Sequence, residues 1–344
     1  MRACGSLFLV LITTIAAAAA EPPERLSLET LFGDDAPELE QLGALHWLPD
    51  GEHVIYWLSG KDDNVLWREH AAGGERTQLA DWKAVMAALA EQRPHAVKDQ
   101  LGDVNSASGA RGRPVLSPDG ALLAGVTSGD LYVFELASGQ ARVLTGDREP
   151  EIFPAFSPDG AKLGFVKGGD LHWVELATGL VHRVTDRGGN TSELNGMADW
   201  VTEEELGAGR CYWWSPDGSR LAFLQFDERP VGVVPITDDA MPYPGLEEQW
   251  YPKAGAANPT VRLGVVPAAG GAPGWVDTGG GDHYLPRAGW TPGGEVWVQR
   301  LSRGQDRLEL LLAAPDGGPV RTLLTESDPA WVDVHDDLHF LADG

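Results

Sequence analysis

Three adjacent carboxylates, Glu203, Glu204 and Glu205, stand out from the 344 residues, in the segment Asn195-Gly-Met-Ala-Asp-Trp-Val-Thr-Glu-Glu-Glu-Leu206. On composition alone such a run fits a solvated acidic helix start, because negative charge is favourable near a helix N-terminus. A second reading stays open beside it. Trp200, Val201 and Leu206 give the segment an apolar side that would dock it on a larger body and leave some glutamates facing a cavity. Other chemistry is poorly supplied. Serine hydrolysis needs an activated serine, a histidine base with an orienting carboxylate, and an oxyanion hole, yet no Gly-x-Ser-x-Gly turn occurs in the 344 residues. The nine histidines, His335 and His339 among them, lack the spacing of zinc ligands, so no metal or cofactor is expected. Cys211 opens a strand-like run and reads as a small buried hydrophobe, while Trp213 and Trp214 read as blade packing.

The start of the chain has the layout of an export signal. Arg2 provides the positive charge, Leu7 to Ile15 an apolar run too short to span a bilayer, and Ala16 to Ala20 small residues for cleavage. The expected product begins at Glu21 and is periplasmic or secreted. Cys4 lies ahead of the apolar run, which argues against a lipid anchor, and its removal leaves Cys211 without an internal disulfide partner. A formal net charge of -25 disfavours nucleic acid and anionic membrane surfaces as partners. With 43% hydrophobic residues and 13 tryptophans the chain can bury a sizeable core, which excludes a disordered protein.

The elements that must position the glutamates come from a repeat. Trp47-Leu-Pro-Asp-Gly51, Leu116-Ser-Pro-Asp-Gly120, Phe156-Ser-Pro-Asp-Gly160, Trp214-Ser-Pro-Asp-Gly218 and a degraded Trp290-Thr-Pro-Gly-Gly294 each precede a strand-like run. Proline presets φ, aspartate bonds its own backbone, and glycine takes positive φ, so each copy is a hairpin turn. Asp130-Leu-Tyr-Val-Phe-Glu-Leu-Ala-Ser-Gly139 then matches Asp170-Leu-His-Trp-Val-Glu-Leu-Ala-Thr-Gly179 position by position. From Ser117 to Ser157 the interval is about 40 residues, the length of one four-stranded propeller blade.

The pattern predicts an all-β fold: a β-propeller over 44–344 behind a signal peptide (1–20) and an N-terminal segment (21–43). Blades are expected near 44–80, 113–146, 153–186, 211–278 and 285–325, with Trp331 to Phe340 starting another. Insertions over Arg187 to Arg210 and Asp227 to Pro259 account for the longer later spacings, the second too rich in proline for a central strand. Asp81 to Glu91 predicts a surface helix with Trp82, Val85, Met86 and Leu89 on one face, and Gly102 to Gly112 a loop. Five blades would be an incomplete ring. A closed five-bladed ring is the alternative, made less plausible by the unequal insertions and by an ending at Ala342-Asp-Gly344 that looks like a hairpin turn.

Asp199-Trp-Val-Thr-Glu-Glu-Glu205, Trp213-Trp-Ser-Pro-Asp-Gly218, Phe223-Leu-Gln-Phe226, Tyr251-Pro-Lys-Ala-Gly-Ala-Ala-Asn-Pro-Thr-Val261 and Gly289-Trp-Thr-Pro292 follow one another in that order. So do Val298-Gln-Arg300 and Arg307-Leu-Glu-Leu310. This series resembles the dipeptidyl-peptidase-IV family of serine peptidases, strongly from about Val115 onward and weakly before it. The resemblance implies that Glu204 and Glu205 hold the protonated N-terminal amine of a peptide, that dipeptides of X-Pro or X-Ala type are released, and that full-length relatives form homodimers. It also implies that the cleaving serine belongs to an α/β-hydrolase domain absent from these residues, so that this chain alone is inactive. Arg111 and Arg113 are candidates, by region only, for an arginine that contacts the substrate carbonyl. Glu203 is expected to face solvent or close a local ion pair. The competing reading is a stand-alone TolB-like propeller that binds peptides or envelope proteins without catalysis.

Overall fold

The repeated turn closes in the way its residues dictate. In the computed structural model, which describes residues 41–60, 64–92, 114–238 and 245–341, Ser157 Oγ donates to Asp159 Oδ1 at 2.5 Å. The Ala161 N–H donates to the same carboxylate oxygen at 3.1 Å, and the Lys162 N–H donates to Ser157 Oγ at 3.0 Å. The copies at Ser117 and Ser215 repeat these bonds with Asp119 and Asp217. Gly120, Gly160 and Gly218 have φ of 68°, 68° and 67°, a conformation that a side chain disfavours. In the degraded copy the backbone bond survives, from the Gly294 N–H to the Thr291 carbonyl at 3.0 Å, and Gly293 takes the place of the aspartate.

Each turn joins the first two strands of a blade, and five blades follow in order. The first pairs Gln41–Leu42 and His46–Trp47 with His53–Ser59, then Asn64–His70 and Thr77–Asp81. The second comprises Val115–Leu116, Leu122–Thr127, Asp130–Glu135 and Gln140–Val143, and the third Glu151–Phe156, Lys162–Lys167, Asp170–Glu175 and Val181–Arg183. The fourth has Glu193–Asn195 and Tyr212–Trp214 both on Arg220–Asp227, followed by Thr260–Pro267 and Gly274–Asp277. The fifth is His283–Trp290, Val296–Ser302, Arg307–Ala313 and Gly318–Ser327. Its last strand also pairs in parallel with the end of the fourth blade, Val276 opposite Gly318, and stitches the two blades into one sheet. There a Cβ on Gly274 would lie 2.0 Å from the Asp316 carbonyl oxygen, so only glycine fits.

Apolar layers fill the space between consecutive blades. Leu123, Tyr132 and Phe134 meet Ile55 and Leu66; Leu163, Phe165 and Val174 meet Ala124, Leu131 and Val133; Leu221 and Phe223 meet Val166 and Leu171; Val296, Val298 and Leu311 meet Leu224, Leu263 and Val265. Buried indole N–H groups need acceptors, and they find them on the neighbouring blade. Trp173 donates to the Ala268 carbonyl at 2.7 Å, Trp214 to Ala155 at 3.2 Å and Trp290 to Trp213 at 3.0 Å.

Two expectations are corrected, at the fourth blade and at Trp331 to Phe340, and two are met. The fourth blade begins at Glu193 and not at residue 211, because its first strand is made of two pieces. The helix Trp82–Gln92 forms as expected, its apolar face of Val85, Met86 and Leu89 buried in the layer between the first two blades and its other face exposed. The second insertion supplies no central strand, as expected: it forms a separate hairpin, Val233–Asp238 with Gly245–Trp250, paired only with itself among the described residues. Trp331 to Phe340 forms no strand; it lies on the fifth blade, with Val332 packed on Leu301 and Leu308. The signal segment and Gly102 to Gly112 lie outside the described residues.

Candidate functional site

The glutamate segment emerges from a break in the first strand of the fourth blade. Glu193–Asn195 pairs with Asp227 to Gln225, and Tyr212–Trp214 resumes the same edge opposite Phe223 to Leu221. Residues 196–211 are extruded between them as a loop with a closed neck. Ala198 N–H donates to the Gly209 carbonyl at 3.0 Å, Cys211 N–H to Gly196 at 3.0 Å, and Met197 bridges to Arg210. Gly196, with φ of 79°, turns the chain out of the strand.

At the top of the loop sits the one-turn helix Trp200–Glu204. A helix this short has no stability of its own and depends on its cap and its neighbours. Asp199 is the cap: extended at φ −74° and ψ 172°, it accepts from the Val201 and Thr202 N–H groups, each at 3.2 Å. Its carboxyl is buried, and desolvation raises its pKa against the lowering pull of those bonds. Thr202 is buried, Trp200 packs on Tyr251 at 4.4 Å between ring centroids, and Arg287 Nη1 donates to the Leu206 carbonyl at 2.8 Å. Arg287 is itself held by Asp336, through Nε at 2.5 Å and Nη2 at 3.2 Å.

The three glutamates separate. Glu204, the last helical residue, and Glu205, the C-cap with φ −94°, are both exposed. Glu203 is half-buried and turned toward the neck, with Oε1 3.8 Å from the point a Gly209 Cβ would occupy, rather than out to solvent. The loop therefore presents two carboxylates, adjacent in sequence and exposed, from a turn capped at Asp199, a donor-accepting pair suited to a cation with several donors. Arg111 and Arg113 lie outside the described residues. Cys211 is buried beneath the loop as expected, and burial pushes its thiol pKa up.

Sequence reasoning passed over two residues here. Glu228 is buried, and its carboxyl is pushed up to about 7 by desolvation and by the negative charges of Asp199 and Asp227. No local pattern marks it, since its burial comes from the packed blade. Arg287 fastens the helix end from the next blade, and nothing in its own surroundings in the sequence points to a carbonyl on Leu206.

The family comparison agrees with this architecture. A family described as the dipeptidyl peptidase IV (DPP IV) N-terminal region matches residues 125–344, and the chain belongs to that family. Dipeptidyl peptidase 4 of Felis catus is 37% identical over 139 residues, 36% of this chain and 18% of the relative. The venom dipeptidyl peptidase 4 of Apis mellifera is 32% identical over 170 residues, 46% of this chain and 22% of the relative. A protein named inactive dipeptidyl peptidase 10, of Rattus norvegicus, is 47% identical over 87 residues, covering 24% of this chain and 11% of the relative. Among solved structures, Porphyromonas gingivalis dipeptidyl peptidase 4 superposes with a TM-score of 0.69 at 23% identity, covering 90% of this chain and 43% of that one. The chain thus spans less than half the length of the relatives it matches, and the shared fold is a dipeptidyl-peptidase-IV-type propeller.

Proposed function

We propose that this chain provides the amine clamp of an exported dipeptidyl aminopeptidase, with Glu204 and Glu205 gripping the protonated N-terminus of a peptide. An ammonium offers three donors, and two carboxylates neutralise it and fix its position. Anchoring the free end determines how far the peptide reaches, so cleavage falls after the second residue, consistent with X-Pro or X-Ala substrates. The observation that carries this reading is the capped loop that leaves Glu204 and Glu205 exposed while Glu203 is turned inward.

The clamp binds and orients; it breaks no bond. Without a Gly-x-Ser-x-Gly turn among its 344 residues, this chain is expected to show no turnover of a chromogenic X-Pro substrate. One relative is named an inactive dipeptidyl peptidase, which supports treating the propeller and catalysis as separable. Export with cleavage after Ala20 belongs to the same reading, and N-terminal sequencing of secreted product would check it. So does a homodimer of the full-length form, for which the hairpin Val233–Asp238 and Gly245–Trp250, with exposed Val233 and Leu246 on one face, offers an apolar surface.

The test is calorimetric titration of this chain with an Ala-Pro-Ala-Ala amide, free or acetylated at its N-terminus. The free amine should bind more tightly, and Glu204→Gln with Glu205→Gln should abolish the difference. Equal affinity of the two peptides for the parent chain would count against the clamp.

A further inference from the structure

Phe153, on the third blade, is the least expected backbone position near the loop. It has φ of 58°, a left-handed conformation that crowding at Cβ disfavours, and it precedes Pro154, which restricts it further. Residues held this way persist only where their surroundings over-determine them, and they cluster at functional sites. Here three contacts do so. The ring is buried, the Phe153 carbonyl accepts the Tyr212 hydroxyl at 2.6 Å, and ring carbons Cε1 and Cζ stand against Gly209. A Cβ on Gly209 would stand 2.8 and 2.9 Å from two ring carbons. Gly209 is not among the glycines with positive φ, so it is the ring and not the backbone angle that requires a glycine there.

From these contacts we infer that Phe153 is a positioning residue for the clamp: a wedge from the neighbouring blade that sets where the glutamate loop stands. The inference rests on the amine-binding reading of Glu204 and Glu205. The five-residue helix cannot hold itself, and Gly207, with φ of 65°, and Gly209 leave its exit pliable. Tyr251 and Arg287 hold the helix at its first residue and just past its end. Phe153 bears on the neck, at the point where Glu203 also turns in, one residue from Glu204. The third blade thereby controls the position of carboxylates that belong to the fourth.

The same peptide titration tests this in four variants: Gly209→Ala, Phe153→Leu, Phe153→Leu with Gly209→Ala, and Glu204→Gln with Glu205→Gln. The added methyl should collide with the ring, displace the neck and lower free-amine affinity by roughly tenfold to a hundredfold, the scale of a misplacement near 1 Å. Affinity for the acetylated peptide should stay unchanged, which a general loss of structure would not produce. Phe153→Leu should lower the free-amine preference in the same direction, and the double variant, with the ring gone, should recover most of the loss. Melting temperature and near-ultraviolet circular dichroism report folding; if Gly209→Ala does not fold, Phe153→Leu alone decides. An unchanged ratio of free to acetylated affinity in Gly209→Ala and Phe153→Leu, alongside its collapse in the double glutamine variant, overturns the wedge and leaves the clamp standing. A free-amine preference that survives the double glutamine variant removes the clamp, and the wedge with it.

Discussion

The third and fourth blades solve one local problem at different scales. In both, the first strand departs from regular pairing on the approach to a Ser-Pro-Asp-Gly turn. In the third blade the departure is a bulge between Ile152 and Ala155, where Pro154 has no N–H to give to the ladder. In the fourth it has grown into the loop 196–211 that carries the glutamates. The fifth blade repeats the small version between Tyr284 and Arg287, around Pro286. The glutamate loop is thus an enlarged bulge, and bulged neighbours touch it from both sides: the Phe153 ring at Gly209 and the Arg287 guanidinium at the Leu206 carbonyl. Closure of the blade is not disturbed, because the strand resumes in register at Tyr212.

The join between these blades should be most sensitive at Asp170. Its buried carboxylate accepts from Arg183 at 2.6 Å, Thr185 Oγ1 at 2.9 Å and, across to the fourth blade, Asn195 Nδ2 at 3.0 Å. Asp170→Ala leaves the Thr185 hydroxyl and the buried Asn195 amide without this acceptor, although Arg183 keeps Asp186, and should cost about 3 kcal/mol in chemical denaturation. A loss under 1 kcal/mol would mean that the apolar layer alone joins the blades.

Glu228 offers a sharper distinction, because it lies only on the fourth blade's side. Its folded-state pKa is raised from 4.5 to about 7, so folding takes up a proton between those values. Stability from this group is fully present below pH 4.5, falls as pH rises through about 7, and is then constant. Glu228→Gln should therefore raise stability above pH 7 by up to about 3 kcal/mol and change little at pH 4, read as melting temperature against pH. An equal shift at both pH values would rule out the titration.

Smaller effects follow at the cap and the turns. Asp199→Ala should cost about 1 to 2 kcal/mol and weaken free-amine binding, whereas Asp199→Asn, which keeps an accepting oxygen, should lose only part of that. Ser157→Ala removes the hydroxyl that links Asp159 to the Lys162 N–H and should cost about 1 kcal/mol. The same change at Thr291, which has no aspartate in its turn, should cost less. Equal losses would show that the aspartate adds nothing.

How far all this could be read beforehand depends on the range of the interaction. Asp199 ahead of Trp-Val-Thr is a local cap signal, and Pro154 and Pro286 are local signals of bulges. The strand Glu193–Asn195 lies within the expected insertion Arg187 to Arg210 because three residues are too few to show alternation. Phe153 resembles any core aromatic until its φ and its contact with Gly209 are seen.

Composition and the Ser-Pro-Asp-Gly repeat were enough to specify a propeller of four-stranded blades, because turns and strand periodicity depend on neighbours in the chain, whereas Glu204 and Glu205 stood out only through the family resemblance of the motifs after Val115. Which glutamates remain outside, which carboxyl loses its water, and which blade holds the loop were decided only by tertiary packing. Desolvation and steric contact arise between residues far apart in sequence, as between Phe153 and Gly209, and no local pattern encodes them.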